Sequence, residues 1–124
     1  IVNFSSTAGW MGMPRKTHYV SAKAALRAFT KSVANEVGPY MIRCNCLVPG
    51  AIDTQLRRNW IQRLADEQGS DYATVFASKQ AGVALPTIST PDDISNLALF
   101  LASDESRTIT GQSINCDAGG YMNG

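Results

Sequence analysis

Apolar residues fall into short blocks separated by glycine, proline and serine, and the blocks alternate between a strand-like and a helix-like period. Ile1-Val2-Asn3-Phe4-Ser5-Ser6 reads as a short apolar strand closed by two serines. Thr7 to His18 carries Gly9, Gly12 and Pro14 and is predicted to be loop. A helix is predicted from about Tyr19 to Val37: Ala25, Ala28, Phe29, Val33 and Val37 recur at helical spacing, and Gly38-Pro39 supplies the stop. Tyr40 to Val48 is an almost continuous apolar run, interrupted by Arg43 and Asn45 and ended by Pro49-Gly50. A strand apolar on both faces suits a parallel sheet covered by helices.

Residues 55–82 are predicted to be helical but irregular, with amphipathic stretches such as Trp60-Ile61-Leu64 and Tyr72-Val75-Phe76. Leu85 to Thr90 is a loop with Pro86. Thr90-Pro91-Asp92-Asp93 then opens a helix through Ile94, Leu97, Ala98 and Leu101, with Thr90 as N-cap, proline in the first turn and two acids at the positive helix end. Ile109 to Cys116 contains a last strand, closed by Asp117-Ala118-Gly119-Gly120. The order strand, helix, strand, helices, strand predicts an α/β fold with a parallel sheet and crossover helices. Repeats, low-complexity segments and linkers are absent from the pattern.

The length, 124 residues, is that of one domain. Yet the first residue, Ile1, already lies inside a strand and is not Met, so the chain is expected to be a fragment of a longer protein. The net charge of +1 offers no case for nucleic acid or an anionic surface, and Arg15-Lys16 and Arg57-Arg58 are pairs on a solvated face. No apolar run approaches the roughly 20 residues of a membrane span, and no signal peptide is apparent. Cys44, Cys46 and Cys116 make no disulfide framework. Cys44 and Cys46 share one strand face without further ligands to complete a metal site, so they read as buried free thiols in a reducing, cytoplasmic setting.

Candidate chemistry starts with Tyr19 and Lys23. Four residues apart at a helix start, their side chains share one face. A phenol is a poor acid or base near neutrality, with a reference pKa of about 10, and a neighbouring ammonium favours its ionised form. Such a pair suits general acid/base work. Alone, the spacing is common by chance. Ser6 ends a strand thirteen residues earlier, across a glycine-bearing loop, and its hydroxyl can meet the tyrosine over a substrate carbonyl oxygen. Trp10, Met11 and Met13 follow in that loop and can either line an apolar pocket or pack the loop. His18 adjoins Tyr19 but points elsewhere on the helix and reads as a surface or packing residue.

These segments, together with Tyr19-Val20-Ser21-Ala22-Lys23-Ala24-Ala25-Leu26, Ile42 to Thr54, Pro91-Asp92-Asp93-Ile94, Thr110-Gly111-Gln112 and Asp117-Ala118-Gly119-Gly120, stand in the order and rough spacing of the short-chain dehydrogenase/reductase family. The chain resembles the carboxyl-terminal, catalytic half of that family over essentially its whole length. The resemblance implies a Rossmann-like doubly wound parallel sheet of which residues 1–124 are the carboxyl-terminal part, the amino-terminal nucleotide-binding half being absent. It implies NAD or NADP as cofactor and reversible hydride transfer between the nicotinamide and a secondary alcohol or ketone. Tyr19 would be the acid/base and would also contact the cofactor, Lys23 would tune it and hold the nicotinamide ribose, and Ser6 would orient the carbonyl. Pro49 and Gly50 would let the chain pass over the nicotinamide, with Ile52 and Thr54 holding its carboxamide. Ser6, Ala8, Trp10 and Tyr19 would contact substrate. A homo-oligomer, dimer or tetramer, is also implied, with a small-molecule substrate and neither nucleic acid nor membrane as partner.

The chain departs from the family pattern in identifiable places. The glycine-rich phosphate loop, the Asn-Asn-Ala-Gly stretch, the asparagine of the catalytic tetrad and the residue that selects NAD or NADP are not in the sequence. Gly9-x-x-Gly12 has neither the spacing nor the strand context to replace that loop. Residues 55–90 are longer than in the shortest members, and the arginine common before the Pro-Asp-Asp helix is missing. The enoyl reductase branch usually spaces its tyrosine and lysine seven apart; here they are four apart. Epimerases and dehydratases share the four spacing but usually carry a longer carboxyl-terminal domain. The alternative from another class is a catalytically incomplete piece that serves only in oligomerisation or interaction, with its first strand as an unpaired edge.

Overall fold

The computed structural model describes residues 1–122. Three strands, β1 (Val2–Phe4), β2 (Asn45–Pro49) and β3 (Ser113–Cys116), form one parallel sheet in the order β1-β2-β3. Four α-helices connect and cover it: α1 (Thr17–Val37), α2 (Gln55–Gln68), α3 (Tyr72–Gln80) and α4 (Pro91–Ala102). The expected α/β architecture with a parallel sheet is therefore present.

The central strand explains the apolar run that signalled it. Residues 45–48 are fully buried, because each face of β2 is covered. Leu47 packs with Ile94 and Leu101 of α4, joined by Val2, Ile114 and Cys116. On the other face Asn3, which pairs with Cys46 in the register, donates to Thr30 Oγ1 of α1 at 3.0 Å. Successive strand residues alternate faces, so α1 and α4 lie on opposite sides of the sheet. Cys44 and Cys46 are buried free thiols, and burial raises the Cys44 pKa above the usual thiol range.

Several boundaries differ from the sequence reading. β1 stops at Phe4 rather than Ser6, and α1 begins at Thr17, two residues before Tyr19. The apolar run from Tyr40 is not all strand. Residues 38–40 make a 3-10 turn, and Met41 closes it in the left-handed conformation at φ 59°. Tyr40 and Met41 consequently project into solvent, 77% and 89% exposed. The segment 55–82 is two regular helices, separated where Gly69 adopts φ 60° and Asp71 caps α3 by accepting from Thr74 N. These helices share a small core of their own, Ile61, Ala65 and Val75.

Arg43, which looked like a break in the strand, closes the far end of α4. Its guanidinium donates to the carbonyls of Leu101 (2.8 Å) and Ser103 (2.9 Å) and to Ser106 Oγ (2.8 Å). A fixed cation on the last carbonyls satisfies acceptors that a helix leaves unpaired and complements its dipole.

The start of α4 is a capping box. Thr90 Oγ1 accepts from Asp93 N at 3.3 Å, and the Asp93 carboxylate accepts from Thr90 N at 2.7 Å. Those bonds to Thr90, backbone first and hydroxyl second, hold Asp93 below the ordinary carboxylate pKa. A carboxyl whose folded pKa is depressed stabilises the fold above its unfolded pKa of about 3.9 and loses that contribution as pH falls through the folded value. Wild type is therefore expected to be more stable to urea than Asp93→Ala at pH 7, with the gap narrowing below about pH 4. Chemical denaturation of both proteins across that range measures it; a gap unchanged down to the folded pKa would assign the cap's worth to something other than the carboxylate's charge.

Candidate active site

The site is built where the strands end. β1 is pinned to α1 by two bonds on one face: Asn3 to Thr30, and the Ser5 hydroxyl donating to the Lys23 carbonyl at 2.6 Å. Ser6 leaves the strand in extended backbone, φ −163° and ψ 152°, and caps a 3-10 turn of Thr7–Gly9 by accepting from Ala8 N at 3.2 Å. Ser5 and Ala8 are buried, Ser6 half-buried.

That turn lies directly against α1. A methyl group on Gly9 would sit 2.9 Å from both the Lys23 carbonyl carbon and the Ala24 nitrogen. Such a separation leaves no room for any side chain, and both neighbours are backbone. Glycine is what lets the Ser6 turn and the Lys23 turn of α1 touch.

Tyr19 sits on the first turn of α1 with 40% of its surface exposed. Lys23 follows one turn later. Its Nζ lies 5.8 Å from the centre of the Tyr19 ring and donates to the Phe4 carbonyl at 2.9 Å. The ammonium thus bridges the end of β1 and the tyrosine. Strand end, serine turn and tyrosine–lysine turn converge at one sheet edge.

The second wall comes from the end of β2. Pro49 is its last residue, and Gly50 N donates to the Cys116 carbonyl at 3.1 Å. A Cβ on Gly50 would come within 2.5 Å of the Asp117 Cβ, so the ends of β2 and β3 also need a glycine to meet. Ile52 forms an isolated parallel bridge with Ser89. Thr54 is the N-cap of α2, its Oγ1 accepting from Arg57 N at 3.3 Å. Beside it, Asp53 takes a two-bond ion pair from Arg58, 2.7 Å to each oxygen, which holds the carboxyl below its ordinary pKa.

Beside these loops opens a cavity of about 230 Å³, lined by Thr7 and Met11 from the first loop, Gly50 and Ala51 from the second, Val83 from the segment after α3, and Asp117; Ser6, Ala8, Trp10, Tyr19 and Lys23 are not among its lining residues. Asp117 is locked in place, accepting from the backbone N–H groups of Gly119 at 3.0 Å and Tyr121 at 2.8 Å. The cavity was foreseen only in part. Met11 faces it, whereas Trp10 is engaged elsewhere, stacked on Tyr121 and beneath Arg27. The residues beyond α3 lie in the segment 55–90 that the family resemblance placed over substrate, whereas Asp117 was singled out only as part of the motif that closes β3. His18 is exposed next to Tyr19. Among the described residues no group of three or more His, Cys, Asp or Glu side chains is gathered as for a metal ion, and no helix is long and apolar enough to cross a membrane.

Residues 1–121 match a family model described as enoyl-(acyl carrier protein) reductase. A 3-oxoacyl-[acyl-carrier-protein] reductase of Chlamydia muridarum is 40% identical over 119 residues, covering 96% of this chain and 44% of that protein. The chain belongs to the short-chain dehydrogenase/reductase family. Its backbone superposes on a short-chain dehydrogenase family protein of Francisella tularensis with a TM-score of 0.87 at 34% identity, over 96% of this chain and 49% of that one. A 4-hydroxyisoleucine dehydrogenase complexed with NADH gives 0.82 at 34% identity, over 96% and 45%. The fold is accordingly that part of a Rossmann-type domain which the family shares, and the chain spans about half the length of the relatives it matches.

Proposed function

We propose that this chain is the catalytic, carboxyl-terminal part of an NAD(P)-dependent oxidoreductase that interconverts a secondary alcohol and a ketone. The observation that carries the reading is the placement of the Lys23 ammonium, 5.8 Å from the Tyr19 ring and bonded to the carbonyl that immediately precedes the two serines. Family membership supports it. The spacing of four between Tyr19 and Lys23 favours carbonyl chemistry over enoyl reduction, whatever the description of the family model.

The residues present fit the nicotinamide-ribose end of such a nucleotide. Lys23 uses one of its three N–H donors on the Phe4 carbonyl, which leaves two for a ribose diol. Pro49, Gly50, Ile52 and Thr54 form a turn at the carboxyl end of a parallel strand, where open α/β sheets bind ligands. The nicotinamide, when bound, supplies or accepts the hydride. The chain's own residues do the rest. Ser6 Oγ donates to the substrate oxygen and fixes it. The Tyr19 hydroxyl gives that oxygen a proton as a ketone is reduced and takes it back as an alcohol is oxidised. Lys23 holds cofactor and tyrosine in one frame. Free buried thiols suit a cytoplasmic setting, and the assembly proposed is a dimer or tetramer.

Fluorescence titration of the intact protein with NADH and NADPH tests the cofactor site. One of them is expected to bind, and Lys23→Met should weaken it about tenfold, the scale of a charged hydrogen-bond donor lost. Binding unaffected by Lys23→Met would remove the lysine from the site; no binding of either nucleotide would overturn the reading.

A further inference from the structure

Trp10 closes the turn that begins at Ser6, its N–H donating to the Thr7 carbonyl at 2.9 Å. Its indole is held from two directions far away in sequence. The Arg27 guanidinium carbon lies 3.4 Å from the ring centre, while the same guanidinium donates to the Gly9 carbonyl. Tyr121 stacks on the indole with ring centres 5.7 Å apart and planes 12° from parallel. Tyr121 is itself fixed: its N–H donates to Asp117 and its carbonyl accepts from Asn115 Nδ2 at 2.7 Å. Asp117 and Met11, the residue after Trp10, both line the cavity.

From this arrangement we infer that Tyr121 is a positioning residue of the substrate site, acting through Trp10 on the turn that carries Ser6 and Met11. The inference rests on the function proposed above. A 3-10 turn of three residues is short and geometrically poor, and its neighbour, the loop to α1, contains Gly12 and Pro14. Without a weight on Trp10 that loop has few fixed points. The aromatic stack and the guanidinium supply them, and they connect the segment after β3 to the segment after β1. The wall of the cavity and the turn that carries the serine then share this contact, in addition to the Ser6–Ala8 bond that caps the turn and the Gly9 packing that holds it on α1.

The test uses the intact protein in a Trp60→Phe background, so that Trp10 is the tryptophan of this chain that fluoresces. In Tyr121→Ala, acrylamide quenching of Trp10 should rise. The KM for a ketone probe, diacetyl or a 3-oxoacyl thioester, should increase by roughly tenfold, the upper worth of an aromatic pair. The Kd for NADH or NADPH should stay within about twofold of the parent, since the alanine variant keeps the backbone bonds by which residue 121 meets Asp117 and Asn115, and Asp117 is what packs on Gly50. Tyr121→Phe keeps the ring and should behave as the parent in all three. Quenching unchanged in Tyr121→Ala, a Phe variant as impaired as Ala, or cofactor affinity lost in parallel with KM would each overturn the inference. Because quenching does not need turnover, it decides the clamp even where the proposed reaction itself fails to appear.

Discussion

Replacing Tyr19 by phenylalanine is expected to reduce turnover by about a thousandfold, within the range of roughly 10² to 10⁴ that a positioned acid or base contributes, while the protein stays folded. The ring is 40% exposed on the first turn of α1 and, among the described residues, no hydrogen bond to its hydroxyl holds the fold. The ring's distance to Lys23 Nζ, 5.8 Å, does not depend on the hydroxyl either. The variant should therefore keep its circular dichroism spectrum and its melting temperature, and lose proton transfer to the substrate oxygen. Steady-state kinetics with the ketone probe, read beside those controls, check it. Turnover within a few-fold of wild type would take Tyr19 out of the reaction.

The second large effect is on architecture. Gly9→Ala should cost about 3 kcal/mol, the upper end for overpacking a tight contact. The new methyl would meet the Lys23 carbonyl carbon and Ala24 nitrogen, both at 2.9 Å. Neither atom belongs to a side chain that can swing aside, so the Ser6 turn must lift off α1 or α1 must lift off β1. The second motion would strain the Ser5–Lys23 bond and the Lys23 bond to Phe4. A displacement of about 1 Å costs on the order of a hundredfold in rate. Urea denaturation gives the stability term, and kcat the catalytic one. Gly12→Ala is the internal control, because a Cβ there meets nothing within 4 Å. Equal behaviour of the two variants would show that the turn does not press on the helix.

How much of this was legible in the sequence depends on the range of the contact. Tyr19, Lys23 and the helix beneath them could be read because the spacing and the helical period are local, and Thr90 could be read as a cap for the same reason. The end of the strand at Pro49-Gly50 was equally local. The beginning of that strand was not, because apolar Tyr40 and Met41 look like core until a left-handed residue turns them outward. Arg43 looked like an interruption because the acceptors that explain it lie some sixty residues on. Gly9 read only as a loop marker; the fold shows that glycine alone is small enough to lie on the Lys23 backbone. Gly50 against Asp117, and Trp10 against Tyr121, are missing from a one-dimensional reading for the same reason.

Hydride transfer at an oxygen that Tyr19 protonates leaves an isotopic signature. The most direct measurement incubates the intact protein with NADH or NADPH deuterated at nicotinamide C4 and with diacetyl or a 3-oxoacyl thioester, and follows the product alcohol by mass spectrometry. One deuterium on the carbinol carbon with wild type, and no labelled alcohol formed with Tyr19→Phe above the background rate, is the predicted result. Alcohol formed without deuterium from either face of the labelled cofactor, or labelled alcohol formed as fast by Tyr19→Phe, would contradict it.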